Sequence, residues 1–339
     1  MTDLIRGEDL PERLDLSEAR ALSSRVAERS VSRASEPAGQ ITRHMCSSMG
    51  KGVRSLLLLI CAADDSLTVP SKAVFAAAAI EIFHLATLVH DDIIDEAATR
   101  RGKESVQSRF GKKNAVITGD YLLCVALSTA AGAVEESDFQ NDTGRGFMLF
   151  KKYMNSFTKI CLGEMDEAAN SRNLALSPRR YLKIISGKTA ELFRISAAIG
   201  AAVSGAEELS QTGLIGWYLG MSFQIIDDCK DYGFNSESAL KPVKHDLTQG
   251  VVTLPLILTL AKDPVLRGLA KEVISQNRES ERLTEAVVKA GGVEMAMDTA
   301  RRYAEKAAKL TDSLFDGLKR DKLRELIANA LSSSKAFGG

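Results

Sequence analysis

An all-α fold is what this sequence predicts, and three observations carry the prediction. Apolar residues recur with helical rather than alternating periodicity almost throughout. Proline is rare, at 7 in 339 residues. No series of alternating strands bounded by turn residues can be traced. Taken in order, the chain opens with an amphipathic helix within residues 1–31. The Ala-rich segments "SKAVFAAAAIEIFHLATLVHDDIID" and "AVITGDYLLCVALSTAAGAV" follow, apolar nearly all round, and belong at the centre of a bundle. "VEMAMDTARRYAEKAAKLTDSLFDGLKR" is amphipathic and belongs on its outside. Breaks are expected at 32–40, 135–146, 170–178 and 233–250, where turn residues collect. None is a long linker and no repeat recurs, so 1–339 reads as a single domain of roughly ten or more helices, with a frayed tail at 332–339.

Charge and cysteine usage exclude several function classes. Lys+Arg and Asp+Glu are equal at 44 each, so no excess points to nucleic acid or an anionic membrane. Phosphate chemistry must come from a local cluster. Cys46, Cys61, Cys124, Cys161 and Cys229 show neither a CxxC pair nor zinc spacing. With no signal peptide recognisable, reduced thiols in the cytoplasm are expected. The longest apolar run, "SLLLLICAA", is too short to span a bilayer, so no transmembrane segment is expected.

The chemistry is concentrated in "LVHDDIIDEAATRRG" (88–102). On a helix Asp91 and Asp95 share a face, with Cβ atoms about 5–6 Å apart. Two like charges there repel by roughly 3 kcal/mol at an effective dielectric near 20. Leu88, Val89, Ile93 and Ile94 imply a partly buried setting, where desolvation adds to the cost. A cation is required. The pattern returns in "FQIIDDCKDYG" (223–233), with Asp227, Asp228 and Asp231. Either cluster alone is usually a solvated helix end, as "AADDSL" at Asp64–Asp65 is expected to be; two apolar-flanked DDxxD motifs in one helical chain point instead to opposed clusters. All-oxygen donors favour Mg²⁺, with Mn²⁺ next. Because Mg²⁺ is normally completed by substrate phosphates, the pattern predicts a diphosphate bridged by metal between aspartates.

Further motifs fall in order with these two. "GDYLL" (119–123), "GKTAELF" (187–193) and "KPVKHDLTQGVVTLP" (241–255) accompany "HDDIIDEAATRRG" and "FQIIDDCKD". Together they resemble the trans-isoprenyl diphosphate synthases, or polyprenyl synthetases, over about residues 40–330. The resemblance implies the isoprenoid synthase fold, a helical bundle around a deep central cavity, and a homodimer. It implies an allylic diphosphate that ionises, isopentenyl diphosphate that attacks it, and two or three Mg²⁺ ions. Asp91, Asp95 and Asp227 are implied as direct ligands, with Asp92, Asp228 and Asp231 acting through water or orienting the cluster. Asp231 is also a candidate ligand. Arg100, Lys188 and Lys241 would neutralise the allylic diphosphate, and Thr189 and Gln224 would line its reactive end.

The second diphosphate needs a cationic pocket of its own. "MGKGVRSLL" (49–57) resembles the family's GGKRxRP segment, with Lys51 and Arg54 matching, Gly52 in place of an arginine and Ser55 in place of a proline. An arginine restored at Gly52 is expected to tighten isopentenyl diphosphate. Arg101 and His84 complete this site by resemblance; alone, His84 would as readily be a core histidine. His90 is read as structural. Val251 stands where the family often has a lysine, and Lys244 is the nearest substitute.

Product length follows from the helix below Asp91. An aromatic residue one turn down forms a floor in short-chain members of the family. Here Ala86 and Thr87 are small and Phe83 is the next bulky residue, which predicts a product of roughly four to eight isoprene units, the upper half favoured. The rival readings are a geranylgeranyl-type synthase, a terpene cyclase and a subunit of a heteromeric synthase. A full second DDxxD disfavours the cyclase.

Overall fold

The structure is a computed structural model that describes residues 10–36, 38–46, 50–131, 145–234, 250–276 and 280–332. It is helical as expected, with two short strand pairs. Its contacts divide the chain into two compact units. One comprises Met1–Lys152, Ser196–Thr212 and Phe315–Lys322; the other comprises Tyr153–Ile195, Gly213–Leu314 and Leu323–Gly339.

The first unit is built around α4 (Ala73–Ile94), which packs against α1 (Leu16–Val31), α3 (Val53–Ala62) and α6 (Lys112–Ala130). Ala77, Ala78, Ala79 and Ala86 on α4 are at most 1% exposed, and such small side chains let neighbouring helices approach closely. By length and hydropathy α4 could cross a membrane, but 67% of its apolar stretch is buried. It is a core helix. The smaller elements here are α2 (Ala38–Cys46) and α5 (Val106–Phe110).

The N-terminal helix begins later than 1–31 suggests. Asp15 accepts from the backbone N–H groups of Ser17 and Glu18 and so caps α1 at Leu16. Ahead of it, β1 (Arg13–Asp15) pairs antiparallel with β2 (Thr68–Pro70). Arg13 ties the pair together, donating to Thr68 Oγ1 and Asp64 Oδ2 at 2.8 Å each. Asp64 lies just past the end of α3 at Ala62, the exposed helix-end position expected, where its carboxylate also accepts from the N–H groups of Ser66 and Thr68. A second pair, β3 (Thr99–Arg100) with β4 (Lys103–Glu104), follows α4.

The second unit contains α8 (Pro178–Ile185) and a π-helical turn (Ser186–Ala190), and it shares with the first unit α7 (Arg145–Ala169), α9 (Glu191–Val203) and α10 (Leu209–Lys230). Then come α11 (Leu254–Lys262), α12 (Arg267–Gln276), α13 (Ser280–Lys289), α14 (Gly292–Leu314) and α15 (Gly317–Ser332). Ile184, Ile225, Leu256, Val293 and Met297 belong to its buried core. The outer helix read as continuous from 293 to 320 is two helices. Gly317 sits at φ +57°, a left-handed value that an α-helix cannot pass through. The break at 170–178 is observed, closed by Ser177 accepting from the N–H of Arg180. Those at 135–146 and 233–250 lie mostly outside the described residues, as does the tail after Ser332. All five cysteines are unbridged thiols.

Candidate active site

In the first unit, α4 carries Asp91 and Asp92 in its last turn and ends at Ile94, with Asp95 as its C-cap. The last carbonyls of a helix lack intrahelical donors, and the macrodipole puts partial negative charge there. Three carboxylates are therefore added to an already negative end. Asp92 is 4% exposed, whereas Ile94 is 64% exposed. The apolar setting expected around the motif holds on the Val89 side only, because the helix stops at Ile94 and that side chain turns outward.

Arg100 supplies one cation. Its Nε and Nη2 both donate to Asp92 Oδ1, at 2.7 and 2.6 Å. Gln107 Nε2 donates to the Ala97 carbonyl at 3.0 Å and to that of Asp92, fixing the turn that brings Arg100 back. In this structure Arg100 is therefore engaged by the motif itself.

A cationic cluster lies beside it. Arg54 Nη1 donates to His84 Nε2 at 3.0 Å. Burial, and then the charges of Arg54, Arg101 and Arg100, hold the His84 imidazole well below its ordinary value, so it is neutral and can accept. Arg101 adopts φ +51° just after β3. Its guanidinium lies so close to Gly50 that a Cβ there would sit 2.7 Å from Nη2. Lys51 follows in the same loop, and its carbonyl accepts from Arg20 at 3.1 Å. Lys51, Arg54, His84, Arg100 and Arg101 are thus brought into one neighbourhood.

Glu81 organises this cluster and was missed by sequence reasoning. Its Oε1 accepts from the Ser55 N–H at 3.0 Å, satisfying a first-turn donor of α3 directly after Arg54, and its charge opposes the burial that disfavours ionised Arg101. The available signal was that Glu81 is the one acidic residue in the apolar run from 73 to 90.

Gly52 is the N-cap of α3 at φ 66° and ψ 40°, a left-handed conformation. Its glycine is a backbone requirement of this loop. The first two residues of "GDYLL" meet His90: a Cβ on Gly119 would lie 2.2 Å from His90 Nε2, which approaches Asp120 Oδ1 at 3.5 Å. His90 is a packing residue between α4 and α6. Of the chain-length candidates, Phe83 and Ala86 are 3% and 0% exposed, while Thr87 is half-buried and donates to the His84 carbonyl at 2.8 Å. None of the three lines the small cavity at Asp92 and Arg100, which Met45, Leu85, Leu88 and Val89 help enclose.

In the second unit, α10 repeats the arrangement. Asp227 and Asp228 lie in its last turn and Asp231 falls just past its end at Lys230. Asp227 is exposed and accepts from Lys230 at 2.9 Å. Asp228 is 4% exposed and accepts from Gln224 Nε2 at 2.7 Å and from the Tyr181 hydroxyl. Thr189 Oγ1 donates to Gln224 Oε1 at 2.7 Å, so Thr189, Gln224, Asp228 and Tyr181 form one hydrogen-bonded chain. Burial pushes the Asp228 carboxyl up to about 8, against the donors Tyr181 and Gln224.

Lys188 pairs with Glu164 at 3.0 Å and with Glu167. Two glycines allow this. A Cβ on Gly163 would lie 2.3 Å from the Lys188 nitrogen, and one on Gly187 would lie 3.1 Å from the Gly163 Cα. Lys188 and Thr189 sit in the π-helical turn, a feature frequent at functional sites. Sequence reasoning missed Tyr181, Glu164 and Glu167; Gly163 inside α7, about 1 kcal/mol worse than alanine in a helix, was the readable signal. Lys241 and Lys244 lie outside the described residues. No group of three His, Cys, Asp or Glu among the described residues forms a metal cage. Each unit thus offers an all-oxygen cluster at a negative helix end, a donor set that suits Mg²⁺ completed by phosphate oxygens.

The polyprenyl synthetase family model matches residues 36–290. The chain is 34% identical over 284 residues to heptaprenyl diphosphate synthase component 2 of Bacillus subtilis, covering 83% of this chain and 78% of that one. It is 28% identical over 313 residues to nonaprenyl diphosphate synthase of Mycobacterium tuberculosis, 90% of each. Heptaprenyl diphosphate synthase from Staphylococcus aureus superposes with a TM-score of 0.84 at 28% identity, covering 95% of this chain and 99% of that structure.

Proposed function

The chain belongs to the polyprenyl synthetase family, and from that premise we propose that it is a prenyltransferase joining isopentenyl diphosphate to an allylic diphosphate, giving a medium- or long-chain polyprenyl diphosphate. The observation that carries this reading is the paired design, in which each aspartate motif ends a helix at its negative terminus. Asp91, Asp95, Asp227 and Asp231 would hold Mg²⁺, which when bound neutralises the departing diphosphate. Asp92 and Asp228 orient the clusters through Arg100, Gln224 and Tyr181. Lys188 offers charge and Thr189 a hydroxyl at the allylic end. Lys51, Arg54 and Arg101 would bind isopentenyl diphosphate in charge-assisted contacts around neutral His84.

Three coarser features belong to the same reading. Boundaries between the two units fall within α7, α9, α10 and α15, which supports one catalytic domain. The outer face of α6 leaves Val116 44% and Ile117 56% exposed, which supports a homodimer. The unbridged cysteines support the cytoplasm.

A second reading has one specific support, that a curated relative is named component 2 of its synthase. On that reading the chain is the catalytic part of a two-component enzyme.

One experiment tests both. The purified chain is incubated with isopentenyl diphosphate, farnesyl diphosphate and Mg²⁺, and products are read by mass spectrometry. Linear elongated diphosphates are expected; turnover only after a partner is added would select the second reading. Chelation should abolish activity reversibly, and Asp227→Ala should abolish it with the fold intact. Near-normal elongation by Asp227→Ala would sink the metal assignment.

A further inference from the structure

The π-helical turn that carries Lys188 and Thr189 is joined to α10 at three successive points. Trp217 Nε1 donates to Ser186 Oγ at 2.9 Å. Three residues on, a Cβ at Gly220 would lie 2.7 Å from the Ala190 Cα, so the two backbones are in direct contact. Four residues further, Gln224 accepts from Thr189. Positions 217, 220 and 224 recur at helical spacing and so share a face of α10, which continues to Asp228. A π turn holds one residue more than an α turn, so the side chains within it are rotated off the α-helical register, and where they point depends on what holds the turn. The contacts at Gly220 and Gln224 grip the C-terminal part of the turn. Its first residue, Ser186, is held by Trp217.

Trp217 is itself braced. Its ring stacks edge-on to Tyr218 and Tyr303, at 5.4 and 5.8 Å between centroids. Lys306 lies over both tyrosines at 5.8 and 5.6 Å. It is the one tryptophan in the chain. An indole in an aromatic wall has little rotamer freedom left to lose on donating its N–H.

We propose that Trp217 is a positioning residue for the allylic diphosphate: through Ser186 it fixes the register of the π turn, and hence the direction in which Lys188 and Thr189 present their polar groups. This rests on the function proposed above, in which Lys188 and Thr189 meet that substrate.

The test uses Ser186→Ala, Trp217→Phe, the double variant and Ser186→Thr in the full-length chain. Losing one neutral hydrogen bond corresponds to about threefold to tenfold in affinity. The KM for farnesyl diphosphate should rise by that factor in each single variant, with the isopentenyl diphosphate KM unchanged. The double variant should be no worse than either single one, and Ser186→Thr, which keeps the hydroxyl, should recover most of the loss. A merely structural role would move both KM values together and add in the double variant.

Binding is read separately from turnover. Farnesyl thiodiphosphate with Mg²⁺ should change Trp217 emission in the native chain, and the titration should shift to higher concentration in Ser186→Ala. Unchanged farnesyl diphosphate KM and an unshifted titration in Ser186→Ala would overturn the proposal. A native chain that binds the analogue but does not elongate would count against the proposed reaction, while the Ser186→Ala titration would still decide the role of Trp217.

Discussion

Arg100 closes on Asp92 through Nε and Nη2, so the buried middle carboxylate of the first motif is neutralised by its own chain. The Asp92 side chain is 5% exposed and that of Arg100 is 30%. Removing one partner of such a pair strands a buried charge, at about 3 kcal/mol here, the low end of the usual range because Arg100 is partly solvated. Arg100→Met should lower the denaturation midpoint accordingly, and Asp92→Asn added to it should recover most of the loss. Equal midpoints for Arg100→Met and the native chain would refute the pairing.

His84 gives a pH dependence. Its folded-state value is held below the ordinary 6.5, so the unfolded chain binds the extra proton first. The stabilisation from a neutral His84 is complete above 6.5 and is lost as pH falls below it. His84→Gln keeps an acceptor for Arg54 but cannot titrate. Its stability should fall less steeply than that of the native chain between about pH 6.5 and 5, measured by urea denaturation.

Gly163 and Gly268 should respond to alanine in opposite directions. At Gly163 the new Cβ meets backbone at 2.3 Å; at Gly268 it meets nothing within 4 Å. Gly163→Ala should cost about 1–3 kcal/mol and raise the farnesyl diphosphate KM by displacing Lys188 from Glu164 and Glu167. Gly268→Ala should gain up to about 1 kcal/mol of helix propensity and leave KM alone. Thermal melts of the two variants would separate them.

Gly52→Arg should not tighten isopentenyl diphosphate, contrary to the expectation from sequence. The left-handed backbone costs a non-glycine residue about 1–2 kcal/mol, and the Cβ would crowd Ser55 Oγ at 2.8 Å. The variant should be less stable with an equal or higher KM. A lower KM at unchanged stability would show that the loop tolerates the side chain.

Product length should respond more cleanly at Thr87 than at Ala86. Both lie about one turn below Asp91, but Ala86 has no exposed surface and Thr87 is half-buried. Thr87→Phe should shorten the product with little change in melting temperature. Ala86→Tyr should also shorten it, while losing about 1–3 kcal/mol to overpacking. An unaltered product distribution in an active Thr87→Phe enzyme would remove this helix face from the growing chain's path.

The sequence by itself determined the helical class, the core position of Ala73–Ile94 and the identity of both aspartate motifs. Each depends on periodicity and spacing along one helix, which the backbone repeat converts directly into a shared face. The sequence also determined that both motifs carry carboxylates rather than thiols or imidazoles at the spaced positions. Only the tertiary structure decided which charges meet. Arg100 returns to Asp92 because a two-strand turn reverses the chain, Glu81 reaches Ser55 across two helices, and Tyr181 reaches Asp228 from a separate helix. Gly52 reads as a lost arginine in sequence and as a required left-handed cap in the structure, because its φ is set by the loop it closes. Contacts between residues far apart in the chain follow from helix packing, which no local pattern encodes.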